Sequence, residues 1–436
     1  MKRRVRTLPK LFSPLSRRCE YGFRLRCSAA AVPGKFVLGI FALLCIAATA
    51  FAGSKYQVIY RFPNETTGYW PTDLITDAAG NLYGISSSGK PYSTSSSVYL
   101  LTRPGSAGGE WTWSLLHHLS FQAGSLVLDR AGNLYGLGFQ EGQFGVVFEL
   151  SRPSAPGGVW KETTIYRFSG WDGYQPSDLT IDESGTLFGT TVYGGRDCSG
   201  SGCGTVYTLT PPSGKGHNWK RTVLYFFKGV FGEGEGDGAG PLGITFDAGG
   251  NLFGITESGG DCNQHAGCGG TAFELKPPTK GHNGWTESVL YRFAPGSDQL
   301  ISGVVLDKSG ALYGVTVYSV YQIALQDGKW VENILTSGCY LYGGPVVDSS
   351  GSVYGTTLGC GKNNDGTVFK LAYIHGSWQQ TLLHQFASGS DGEGPVSGVI
   401  FGSGGALYGT TLRGGNQQCK IPDGNVGCGT VFRVLP

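Results

Sequence analysis

The chain has 436 residues, of which 15% are charged, and a formal net charge of +2. So weak a field excludes long-range attraction to nucleic acid or to an anionic membrane. The 74 glycines exclude a mainly helical protein, because glycine at that density destabilises helices, and an apolar fraction of 40% excludes a disordered one.

The first residues, MKRRVRTLPKLFSPLSRRCEYGFRLRC, are basic, and FVLGIFALLCIAATA at 36–50 is apolar. AFA at 50–52 then places small residues before Gly53. That order predicts a secretory signal peptide over residues 1–52, cleaved near Ala52, and a single domain over residues 53–436. The rival reading is a retained anchor, since the 17 residues from Phe36 to Ala52 lie at the short edge of a membrane span. Either way the protein is expected to be exported: extracellular, periplasmic or at the cell surface. No anchor is expected at the C-terminal GTVFRVLP.

KYQVIYRF at 55–62 has strand composition. After it one phrase returns seven times: DAAGNLYGISSSG at 77, DRAGNLYGLG at 129, DESGTLFGTTVYGG at 182, DAGGNLFGITESGG at 247, DKSGALYGVT at 307, DSSGSVYGTT at 348 and GSGGALYGTTLRGG at 402. Such recurrence marks a repeat array. In the third copy SDLTID (177–182), TLFGTTV (186–192), TVYTLT (205–210) and WKRTVLYFF (219–227) read as strands bounded by Gly, Pro and Asn turns. Four short strands make a sheet with two wet apolar faces. Stacking such sheets face to face and closing the stack into a ring removes that surface from water. The predicted fold is therefore all-β, a seven-bladed β-propeller of four-stranded antiparallel blades. The last copy stops after its third strand, and KYQVIYRF matches the missing fourth, so the N-terminal strand is expected to close the ring. The fifth copy, VYSVYQIALQDGKW, has almost no loop between its second and third strands, which leaves six blades as the alternative.

The glycine after each aromatic (Gly84, Gly136, Gly189, Gly254, Gly314, Gly355, Gly409) is expected to let adjacent blades approach closely. The aromatic before it (Tyr83, Tyr135, Phe188, Phe253, Tyr313, Tyr354, Tyr408) is expected to fill the wedge between blades, in preference to lining a ligand channel. These phrases resemble the GloVer tandem repeat of exported bacterial proteins, over nearly the whole chain from Tyr56. The resemblance implies secretion and tandem repetition, and it implies no activity and no catalytic residue.

Eight cysteines follow the leader. Six fall in close pairs at one place in the repeat, Cys198 with Cys203, Cys262 with Cys268 and Cys419 with Cys428, and in an oxidising compartment these are expected to be disulfides. Cys339 and Cys360 remain and are expected to pair with each other. A zinc site at Cys262, His265 and Cys268 is the rival, but it lacks a fourth ligand.

Strand parity puts the loop between the second and third strands on the same side as the loop between blades. That face collects the cysteine-closed hairpins together with Asp172, Glu233, Glu235, Asp237, Asp391 and Glu393. Restrained loops on a rigid scaffold are where binding residues tend to lie. The expectation is a monomeric binding or scaffold module for an extracellular protein or glycan. The plainer reading is that Asp-Gly simply makes the turn. EGEGDG at 233–238 admits calcium as a cofactor, though without the ligand spacing of a recognised calcium loop. His117 and His384 align with Tyr291 at one strand position and read as packing residues, while His217 and His282 sit in GHN turns of the opposite face. No Ser-His-Asp order, P-loop or zincin motif is present, so no catalytic residue is assigned. The alternative function is a carbohydrate-active hydrolase or lyase with its acids in the central channel.

Overall fold

A computed structural model describes residues 55–436, apart from 65–66, 89–94, 107, 141, 196–201, 214–217, 230–235, 264–266, 282 and 422–425. The leader, Cys198, His217, Glu233, Glu235, His265 and His282 lie outside the described residues.

The repeat phrase folds as its alternation requires. In the third blade the strands are Tyr174–Ile181, Leu187–Tyr193, Thr205–Thr210 and Lys220–Phe226, antiparallel and in sequence order. Seven such four-stranded sheets follow one another along the chain. The seventh consists of Ile400–Phe401, Leu407–Thr411 and Thr430–Leu435, and its outer strand is Lys55–Arg61. Gln57 faces Arg433 and Tyr60 faces Val431 in that pairing, so the two ends of the chain close the ring.

The fifth copy forms a full blade, with strands Val305–Leu306, Leu312–Val315, Ser319–Gln326 and Lys329–Ser337. A tight bend replaces its missing loop, where Thr316 Oγ1 accepts the Ser319 amide at 2.9 Å. Its outer hairpin turns on Asp327-Gly328, with φ of 49° and 78°, the doubly left-handed pair that matches the twist of two-residue hairpins. The ring therefore has seven blades and not six.

Between neighbouring blades the wedge is filled by aromatic pairs. Phe168, buried at the end of the second blade, meets Tyr207 of the third edge-on at 5.3 Å. Phe227 meets Phe273 at 5.0 Å, and Phe293 meets Tyr321 at 5.2 Å, at the next two boundaries. Each such phenylalanine stabilises its boundary by roughly 1.5–3 kcal/mol of apolar burial. The glycines of the repeated phrase serve a different neighbour from the one expected. Gly136 lies opposite Phe148 of its own blade, and a Cβ there would sit 2.6 Å from the Phe148 ring. They make room for the third-strand ring within a blade, not for the next blade. The aromatics before them do more than pack: Tyr354 donates its hydroxyl to Asp348 at 2.9 Å, and Tyr313 to Asp307 at 3.0 Å, tying the turn to the strand that follows it.

Candidate functional site

The loops between blades and the hairpins between second and third strands share one face, which also carries the disulfides. Cys262–Cys268, Cys339–Cys360 and Cys419–Cys428 are bonded as expected, and Cys203 is disulfide-bonded too. Among the described residues no group of His, Cys, Asp and Glu is placed to hold a metal ion.

The acids expected on this face occupy one recurring geometry. Asp172 accepts the Tyr166 hydroxyl and the Ser169 amide, the latter at 2.9 Å. Asp237 accepts the Tyr225 hydroxyl at 2.6 Å and the Lys228 amide at 2.9 Å. Asp391 faces His384 at 3.0 Å and accepts the Ala387 amide at 3.0 Å. In each case a side chain leaving the outer strand and the start of the loop converge on one carboxylate, which holds the loop in shape. Burial acts upward on Asp172, but the bonds from Tyr166 and Ser169 outweigh it and hold this carboxyl below the usual range. Glu393 stands apart: 3.7 Å from Arg413, it lines a cavity of about 400 Å³ with Tyr340 and Asn364.

The outer strands are joined at six of the seven boundaries by the same two repeat positions. His117 meets Glu162 at 3.0 Å, Tyr291 donates to Glu332 at 3.1 Å, and Thr336 donates to Gln380 at 2.9 Å. The Arg221 guanidinium lies 5.5 Å from the Tyr166 ring, His384 stacks on Tyr56 at 3.5 Å, and Tyr60 runs parallel to Trp113 at 6.4 Å. The boundary between the third and fourth blades breaks the series. Tyr225 turns to Asp237, and Glu287, which should be its mate, keeps a buried Oε1 without a hydrogen-bond partner among the described residues. Here lies a cavity of about 250 Å³ lined by Asp237, Glu287, Lys228 and Arg292. Burial first, and the Asp237 charge second, push the Glu287 carboxyl up to about 7 against the pull of Lys228 and Arg292.

A raised carboxyl favours the fold while protonated. The Glu287 contribution is fully present below about pH 4.5 and lost as pH rises through about 7. Glu287→Gln is therefore expected to be more stable than the parent at pH 8, by about 1 kcal/mol once solvent screening is allowed for, and equal to it at pH 4. Thermal melts of the two proteins at both pH values check this.

Beside Asp172 the face is aromatic. Trp171 is 89% exposed, Phe144 is 46% exposed, and Tyr174 stacks on Tyr193 at 4.9 Å. Further round, Tyr342 is 58% exposed in the loop between the fifth and sixth blades. Sequence reasoning named Asp172 but passed over Trp171, its neighbour in SGWDGYQ, although a tryptophan in a glycine-rich turn is itself a signal.

The axis holds a second set of acids that sequence reasoning missed. Four residues before each turn aspartate, or before Gly402 in the last copy, stand Asp73, Ser125, Asp178, Gly243, Gly303, Gly344 and Gly398. Reading that one column down the seven copies would have found them. Asp73 accepts the Leu126 amide at 2.6 Å, and Ser125 donates to Asp178 at 3.4 Å. Burial raises Asp73 to about 6 and Asp178 to about 7. A Cβ on Gly243 would come within 2.8 Å of the Asp178 carboxylate and 3.0 Å of the Gly303 Cα, so the inner strands crowd here main chain to main chain.

Residues 95–324 match the family described as the Gloeobacter/Verrucomicrobia repeat. No curated protein matches. Among solved structures, an extracellular domain from B. thetaiotaomicron is 12% identical over 86% of this chain, which spans 42% of that one, with a TM-score of 0.47. The calcium structure of the Trichoderma reesei Carbohydrate-Active Enzymes Family AA12 is 11% identical over 88% of this chain and 95% of that one, with a TM-score of 0.42. A protein of unknown function from Dyadobacter fermentans is 13% identical over 75% and 97% of the two chains, with a TM-score of 0.38.

Proposed function

We propose, from the premise that the chain belongs to the Gloeobacter/Verrucomicrobia repeat family, that it is an exported binding module for an extracellular glycan or protein. The disulfides support an oxidising compartment. Among the described residues no helix is long and apolar enough to cross a membrane. The reading rests above all on Trp171. An indole that is 89% exposed on a restrained loop, next to the carboxylate of Asp172 and near the Tyr174–Tyr193 stack, contributes little to the fold. It offers a flat apolar face with polar groups at its edge, the composition of a sugar-stacking or protein hot-spot surface.

Asp73 and Asp178 are the acids a hydrolase of the axis would use. Main-chain amides of neighbouring inner strands take up both carboxylates, which fits a structural role better. Glycan-array screening and pull-down of the purified protein, followed by titration of the best ligand, test the proposal. Trp171→Ala is expected to weaken binding at least tenfold and to leave the melting temperature within a degree or so, as exposed substitutions do. Undiminished binding by Trp171→Ala combined with Phe144→Ala would overturn it.

A further inference from the structure

The opposite face carries a cavity of about 550 Å³ at the boundary where the seventh blade meets the first. One substitution in the repeat phrase lies beside it. In six copies the turn opens with an aspartate that accepts the turn's own amides, as Asp77 accepts Ala79 at 3.0 Å and Asn81 at 2.9 Å. In the seventh copy Gly402 stands there. The turn survives, since the Gly402 amide still donates to the Ala406 carbonyl at 2.8 Å, but the carboxylate is gone. Tyr408, counterpart of the tyrosines that donate to turn aspartates, leans over Gly402 so closely that a Cβ there would enter its ring. Its edge meets Trp111 of the first blade at 5.8 Å.

The loss changes the charge of the boundary. Where the first blade meets the second, Arg152 reaches the field of Tyr83 and Asp77, so cation and carboxylate lie together. Its counterpart at the seventh boundary, Arg103, lies beside Gly80 and lines the cavity together with Ser403, the residue after Gly402. Arg103 and Arg433 both line the cavity, no acidic side chain lines it, and neither guanidinium has an ion pair among the described residues. Asp77 lies nearby, but its carboxylate is taken up by Ala79, Asn81 and Tyr83. The remaining wall is polar, with Gln57, Asn81 and Ser403 beside the two aromatic rings.

We propose that this cavity binds a sugar bearing an anionic group, a carboxylate or a phosphate. Two guanidinium forks recognise planar or tetrahedral oxyanions, amide and hydroxyl groups match sugar hydroxyls, and Trp111 with Tyr408 supplies an apolar face. This site is separate from the loop face that carries Trp171 and depends on none of its residues.

Calorimetric titration of the purified protein with D-glucuronate, glucose 6-phosphate, glucose and inorganic phosphate, at constant ionic strength, tests the proposal. At least one of the two anionic sugars is expected to bind at least tenfold tighter than glucose and tighter than inorganic phosphate. Arg103→Gln, on an exposed turn, should weaken that binding about tenfold without moving the melting temperature. Ser403→Asp, which places a carboxylate on the cavity wall, should abolish it. Trp171→Ala should leave it untouched, which separates this site from the loop face. Equal binding of glucose, no binding of either anionic sugar, phosphate binding as tightly as the sugars, or full affinity in Arg103→Gln would each overturn the assignment.

Discussion

Truncating the chain to begin at Pro63 is expected to abolish cooperative unfolding. The cut removes Lys55–Arg61, the outer strand of the seventh blade, and with it Phe62, which is fully buried and meets Tyr99 of the first blade at 5.3 Å. It also removes Tyr56, which stacks on His384 and donates its hydroxyl to the Asp391 carbonyl at 2.6 Å. Thr430–Leu435 would become a bare edge strand, open to pairing with other chains. These losses together exceed the stability of a typical domain, roughly 5–15 kcal/mol. Circular dichroism should show no sharp melt, and sedimentation should show aggregates. A truncated chain that melts at the parental temperature would mean that the ring holds without its closing strand. The milder Phe62→Ala should cost about 3–5 kcal/mol in the full chain.

The second large effect is on pH dependence at the axis. Burial raises the Asp178 carboxyl from 3.8 to about 7, and Asp73 lies close enough to add to the rise. Because the folded-state value is the higher one, the protonated acid favours the fold. Its contribution is complete below about pH 4 and lost as pH rises through about 7. Both aspartates are half-buried, so screening trims the contribution of Asp178 to about 2 kcal/mol. Asp178→Asn is expected to match the parent near pH 4 and to exceed it in melting temperature by several degrees at pH 8. A constant difference between the two proteins across that range would refute the assignment.

The blades are legible in the sequence because each strand alternates and each turn is punctuated. Tyr174–Ile181 begins three residues earlier than SDLTID suggests, since Pro176 sits at a bulge where the ladder shifts register, a place that proline tolerates. Ring closure is legible because KYQVIYRF and SVLYRF are the same strand in two copies. The joints between blades are not. His117 and Glu162 are 45 residues apart, and their meeting depends on two outer strands standing side by side in register. For the same reason nothing in TESVLYR announces that Glu287 will lack a mate. There Tyr225 bonds Asp237 and leaves Glu287 Oε1 without a hydrogen-bond partner among the described residues. The glycine misreading has a similar cause: the ring above Gly136 comes from Phe148, one strand away in the same sheet, and composition does not say which neighbour a bare Cα accommodates.

At six of the seven boundaries the outer joints use one pair of positions but five chemistries: imidazole with carboxylate, ring with guanidinium, hydroxyl with carboxylate, hydroxyl with amide, ring with ring. Each blade thus carries half of a lock and half of a key, and its proper neighbour is specified locally. Exchanging the outer strands of the second and third blades would set the Arg221 guanidinium against His117, where the Glu162 carboxylate now stands. During folding, such mismatched seams would mark a wrongly ordered assembly before the ring could shut.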